Sequence, residues 1–180
     1  MSEYTTIYLR CKEIPLLKYK EHPSYEECQK LSKEDLMKVN REIDEYNEQV
    51  TKSLGCELFY LSTTPSRELT MLPWSPSPSV LTKDLLDEIL YFYQEEIDNN
   101  KNAIAKNKED IARLEVRISK ANVNLYDRIS EEIDECYERI NFEEKELEHC
   151  QYLYNKFAFC SNIINNDSNS EYYELIYTKS

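Results

Sequence analysis

At 180 residues, 41% of them hydrophobic and 32% charged, the chain is long enough to bury one core of ordinary size and crowded for two domains; so much charge calls for a large solvated surface. A formal net charge of -13 argues against direct contact with nucleic acid or an anionic membrane, since both attract Lys and Arg, and makes a basic protein surface the natural partner. The single glycine, Gly55, excludes phosphate-cradling loops, dinucleotide fingerprints and nucleophile elbows, which need glycine where backbone nears a ligand or takes a positive φ.

No run of about 18 apolar residues occurs, and the start MSEYTTIYLRCKE lacks the basic-then-apolar layout of a secretory signal, so a cytoplasmic location is expected. The six cysteines (Cys11, Cys28, Cys56, Cys136, Cys150, Cys160) form no CxxC pair and are read as reduced thiols. Abundant Lys, Asn, Ile and Tyr beside scarce Gly is the bias of AT-rich coding DNA, as in many phages and low-GC bacteria.

In chain order, residues 4–12 alternate Thr5, Ile7, Leu9 and Cys11 against Thr6, Tyr8, Arg10 and Lys12, the period of a half-buried strand. Ser24 and Glu27 have the form of a capping box on a short helix, and Ser32 restarts a longer one. Its stripe Leu36, Val39, Ile43, Tyr46, Val50 and Leu54 predicts a helix over about 33–54, ended by Gly55 in a left-handed C-cap. Residues 56–62 and 68–72 flank a turn-forming stretch and read as a β-hairpin. The prolines of 73–79 oppose both helix and ladder, which makes that stretch a stiff connector. A polar loop, Asn165 to Ser170, precedes a terminal strand, Tyr172 to Tyr177.

Between Thr82 and Ile164 there is neither Pro nor Gly. One arm repeats Leu90, Ile97, Ile104, Ile111, Ile118 and Leu125 every seven residues; the other repeats Ile133, Ile140, Leu147 and Tyr154, with a second interleaved series beside each. Folding one arm on the other in a single register pairs Leu114 with Cys136, Ile111 with Ile140, Ile104 with Leu147, Ile97 with Tyr154 and Tyr93 with Phe157. The bend is expected near Leu125, among Asn122, Asn124 and Asp127. The rival is one unbroken helix in a parallel dimer, opposed by the heptad phase shift at Leu125, Ile129 and Ile133. Asn100 and Asn107 interrupt the seam and would face Cys150 and Glu143, fixing register or holding a buried polar ligand. Near the sheet, Leu81, Leu85, Ile89, Phe92, Leu153, Phe159, Cys160 and Ile163 widen the apolar stripe, so that end is expected to pack.

The expected fold class is therefore α+β. A small antiparallel β-sheet base (1–80 plus 165–180) has βαββ…β order, which resembles the split βαβ arrangement of ferredoxin-like folds. A long antiparallel coiled-coil helical hairpin (81–164) is inserted before the last strand.

Asp127 to Glu148 carries ten acids and three bases, netting -7. Glu131, Glu132, Asp134, Glu135 and Glu138 form its centre, with Tyr126, Tyr137 and Phe142 as aromatics beside or off the seam and Val116 and Val123 nearby. As a function, this is an acidic strip able to steer onto a basic, nucleic-acid-handling protein, or to occupy its channel as a phosphate mimic; as plain structure, it is a solvated helix face. His149 beside Cys150 has no second Cys or His at helical spacing, and His22 has no identifiable partner, so neither a metal, a cofactor nor catalysis is expected. The favoured reading is a non-catalytic interaction protein, of the kind a phage or mobile element uses as an inhibitor. The alternatives are an oligomerising coiled-coil scaffold, for which a homodimer is the test, and an RNA-binding sheet using Tyr8, Phe59 and Tyr60 as stacking platforms.

Overall fold

The alternating residues of the first segment do form a strand, β1 (Glu3–Cys11), in the computed structural model, which describes residues 3–63 and 72–179. β2 (Cys56–Thr63) pairs antiparallel with one side of it, bringing Phe59 opposite Ile7, with a register shift between Ile7 and Tyr8. The last strand, here β4 (Tyr173–Lys179), pairs antiparallel with the other side and sets Tyr177 opposite Ile7.

The third strand is a correction. The proline-rich stretch expected to be a connector supplies β3 (Ser75–Val80), antiparallel to β4, and the sheet order is β2-β1-β4-β3. Proline is tolerated there because β3 lies at the edge, where one row of N–H groups has no ladder to join. Its pairing shifts register between Ser75 and Ser79, and those two hydroxyls meet at 2.6 Å. The strand expected over 68–72 falls outside the described residues except for Leu72, which is buried. In a split βαβ unit the two strands joined by the helix are separated by a third strand, whereas here β1 and β2 pair directly and antiparallel, so the ferredoxin-like order is not confirmed.

α1 (Tyr25–Cys28) opens with the Ser24–Glu27 capping box, and α2 (Lys33–Ser53) opens on Ser32, whose hydroxyl accepts from the Asp35 amide. Gly55 follows α2 at φ +91, the left-handed conformation that ends the helix and returns the chain to β2. Val50 and Leu54 of α2 bury themselves with Ile176 of β4, and Tyr8, Leu16, Leu17, Tyr19 and Tyr46 close around them. Asn47 holds the incoming loop by accepting from the Lys20 amide and donating to the Lys20 carbonyl. Alternation sends Ile7 to the sheet's other face, where Phe59, Leu175 and Tyr177 are likewise buried. The proposed RNA platform is thereby undone: Phe59 is buried and Tyr8 packs in the core, leaving only Tyr60 exposed, stacked on Tyr4 at 5.7 Å.

The chain divides into two units, Met1–Leu86 with Cys160–Ser180, and Asp87–Phe159. The second contains most of two long helices, α3 (Lys83–Ile118) and α4 (Val123–Ile164), which pack as a hairpin. A short helix, α5 (Asp167–Tyr172), replaces most of the expected polar loop.

In the seam, Ile104, Ile111 and Leu114 of α3 are buried with Ile129, Cys136 and Ile140 of α4, and Ile118, Ala121, Ile133 and Leu147 pack against them. Each fully buried aliphatic side chain contributes about 1.5 to 3 kcal/mol by leaving water, so the seam holds the unit together. Tyr93 stacks on Phe157, Leu114 shares a groove with Cys136, and Ile111 shares another with Ile140, three of the five expected pairings. The bend comes earlier than expected, at residues 119–122. Asn122 takes the capping role, its side-chain oxygen accepting from the Leu125 amide, which starts α4 at once. Leu125 therefore belongs to the second arm, and it is exposed. Phe159, expected to widen the buried stripe, is also exposed, whereas Leu81, Ile89, Leu153 and Cys160 are buried.

Candidate partner-binding face of the second arm

Helical spacing decides which α4 side chains share a face. Glu131, Glu135, Glu138 and Phe142 follow one another at intervals of four, three and four, which aligns them along one line of the helix. All four are exposed, because the seam residues Ile129, Ile133, Cys136 and Ile140 point α4's other side at α3. Phe142 shares a shallow surface depression with Glu135, Glu138 and Arg139. An apolar ring is thus rimmed by two carboxylates and a guanidinium, a composition suited to an anchor residue with polar surroundings.

The other expected site residues divide between neighbouring faces. Asp134 is exposed beside this line, and Glu132, half-buried, lies on the opposite flank of it in a second groove with Asp110, Arg113, Arg117, Glu135 and Arg139. Arg128 lies 3.6 Å from Glu132. Arg113 lies 3.7 Å from Glu109 and 3.4 Å from Asp110 on its own helix. Tyr137 is on the hairpin's other broad side, lining a groove with Lys108, Ile111, Ile140 and Glu144. Tyr126 precedes it by eleven residues, three helical turns, and so lies on the same line. The structure therefore brings together Glu131, Glu135, Glu138 and Phe142, and separates Tyr126 and Tyr137 from them.

Toward the bend the two arms carry opposite charge, a feature the strip of acids alone conceals. Residues 127–148 net -7, whereas residues 101–120, from α3 into the bend, hold six bases against three acids, netting +3. An ion pair crosses between the arms here, Lys108 to Glu144 at 3.9 Å between exposed partners. Pairs so exposed are worth about 0 to 1 kcal/mol, so most of this charge remains available to a partner. Arg113, Arg117 and Arg139 were not singled out from the sequence. Their signal was present, since Arg113 and Arg117 are one turn apart on α3, but only the inter-arm register places Arg139 across from them.

Among the described residues no group of three or more His, Cys, Asp or Glu is arranged to hold a metal ion, and no helix is long and apolar enough to cross a membrane. His22 lies 3.2 Å from both Asn40 and Asp44 through its two ring nitrogens, which ties the loop before α1 to α2. Compared with models of known families, with curated proteins and with solved structures, the chain matches none.

Proposed function

We propose that this chain is a non-catalytic protein-protein interaction module, which presents the outward line of α4 to a basic surface on a partner of the nucleic-acid-handling kind. The observation that carries the reading is the exposure of Glu131, Glu135, Glu138 and Phe142 on one line of the second arm. Three carboxylates on a long helix attract and orient a basic groove from beyond contact range, and the phenyl ring supplies desolvated area once contact is made. Knobs-into-holes packing of the coiled-coil type would keep that line straight. An inhibitor that blocks its target by occupying a nucleic-acid channel would combine these features, and phage or mobile-element origin suits the composition.

Affinity capture from host lysate followed by measured binding tests the reading. The captured protein should carry a basic patch, its affinity should fall steeply with salt, and combined E131K, E135K and E138K should weaken binding at least tenfold. Unchanged affinity in the triple variant, with helix content retained, would refute the assignment.

A further inference from the structure

The hairpin's broad side that bears Tyr137 differs from the rest of its surface. On α3, Lys101, Ala105, Lys108, Ala112 and Val116 recur at intervals of four, three, four and four, and all are exposed. On α4, Tyr126, Ser130, Tyr137, Glu144 and Glu148 continue one line at the same kind of spacing. Down the middle lie the buried Ile111 and Ile140 and the partly buried Ile133. Tyr137 is 54% exposed and Val116 59%, large apolar groups on a side where the exposed α3 line otherwise carries the small Ala105 and Ala112. The opposite broad side is packed with charge instead, with Asp110, Arg113, Arg117, Glu132, Glu135 and Arg139 lining one groove.

We infer that this flat side is a docking surface for a second copy of the chain, with α3 of each hairpin lying over α4 of the other and both bends at the same end. Charge selects the occupant and the orientation. The α3 edge offers Lys101 and Lys108, the α4 edge offers Glu144 and Glu148, and the Lys108–Glu144 approach fixes these as the same level of the hairpin. A two-fold axis along the hairpin sets each lysine edge against the partner copy's glutamate edge, which is an isologous, closed arrangement. A two-fold axis across the hairpin would instead stack α4 on α4, acid on acid, at a cost. In the register that pairs Ile111 with Ile140, Tyr137 lies level with Leu114, so in a two-fold copy its ring falls between the exposed Ala112 and Val116 of the other chain's α3.

The surface is modest. From Lys101 to Ser119 the face runs about 27 Å by the roughly 20 Å width of two helices, or about 540 Å². That is short of the roughly 800 Å² per partner typical of stable complexes, so association belongs to the concentration-dependent class and should be read at tens to hundreds of micromolar. This inference does not depend on the acidic line of Glu131, Glu135 and Glu138, which faces elsewhere.

Sedimentation equilibrium of the full chain over that range should show the mass rising from 21.5 kDa toward twice that value. K101E with K108E in one chain, and E144K with E148K in another, should each lose self-association at least tenfold, since every lysine-glutamate contact becomes like against like. Mixed one to one, the two variants should associate again, because each heterodimer restores opposite charge at both contacts. Circular dichroism identical to the wild type in both variants excludes unfolding as the cause. A wild-type chain that stays at 21.5 kDa throughout, or two variants that fail to rescue one another while both are folded, overturns the proposal.

Discussion

Tyr93 of α3 and Phe157 of α4 lie ring over ring, their centroids 6.1 Å apart and their planes 12° from parallel. Both are buried, Phe157 completely. Phe157→Ala removes the larger share of that layer and should cost about 3 to 5 kcal/mol, through lost transfer energy and the cavity left behind. Urea denaturation followed by far-ultraviolet dichroism would measure it. A loss below about 1 kcal/mol would mean that the layer is not packed as described.

The Tyr93 hydroxyl gives the same layer a pH dependence. Burial, with a smaller contribution from neighbouring Cys150, pushes its pKa well above the ordinary 10.0. Above that value the unfolded chain releases a proton that the folded chain retains, so the stability present below it is lost progressively as pH rises toward the folded pKa. Tyr8 and Tyr177 are raised in the same direction by burial. Tyr93→Phe should therefore lessen, without abolishing, the fall in urea midpoint between about pH 9 and about pH 11. An identical fall in wild type and variant would contradict the burial of this hydroxyl.

Gly55 should tolerate nothing larger. Its φ of +91 disfavours any side chain, and a Cβ there would run into the Leu9 carbonyl oxygen and stand 2.9 Å from both Cα and Cβ of Arg10. Two of those obstacles are backbone of the central strand β1 and the third is the Cβ fixed to it, so none can swing aside. Gly55→Ala should cost more than about 2 kcal/mol, because conformational strain and overlap add. A thermal midpoint within a degree or two of wild type would show that α2 is not anchored to β1 at this point.

The hairpin was legible in the sequence because a seam repeating every seven residues leaves few alternative registers, and Tyr93, Ile111 and Leu114 meet Phe157, Ile140 and Cys136 as their spacing required. The position of the bend was not, because Asn122, Asn124 and Asp127 all have capping chemistry and only the three-dimensional path selects Asn122. β3 was illegible for a different reason. Prolines argue against strand wherever both edges must be paired, and nothing local in residues 75–80 announces that the strand will lie outermost. At the candidate site, composition located the acids and aromatics. Which of them face together followed only from the direction of the seam, which turns Tyr126 and Tyr137 away from Phe142.

Arg10 and Glu174 offer an asymmetric test of the sheet. Arg10 is 2% exposed; its Nη1 donates to Glu174 Oε1 at 3.0 Å, while Nε and Nη2 have no partner among the described residues. Removing the carboxylate leaves a buried guanidinium without a counter-charge, so Glu174→Ala should cost about 3 to 5 kcal/mol. Arg10→Met, similar in length and without charge, removes the burial penalty along with the attraction and should cost under about 2 kcal/mol or stabilise slightly. Equal losses in the two variants, measured by urea titration at neutral pH, would mean that the pair is better solvated than its burial implies.

Asn107 sits in the seam with Ile104 and Ile111 close by, and its amide nitrogen donates to the Ala103 carbonyl of its own helix at 2.9 Å. That bond satisfies the side chain locally and adds nothing between the arms. Asn100, one heptad earlier, is buried at 8% exposure. Replacing Asn107 with Leu should raise stability by about 1 kcal/mol, since apolar area then closes where a polar amide stood. The same change removes a mark that distinguishes one heptad from the next, so the N100L/N107L double variant should be more stable still yet less uniquely paired. Denaturation midpoints would report the first effect, and extra species in sedimentation velocity, or doubled amide resonances along α3, would report the second. A destabilised N107L chain would instead assign this asparagine an inter-arm contact that its bond to Ala103 does not supply.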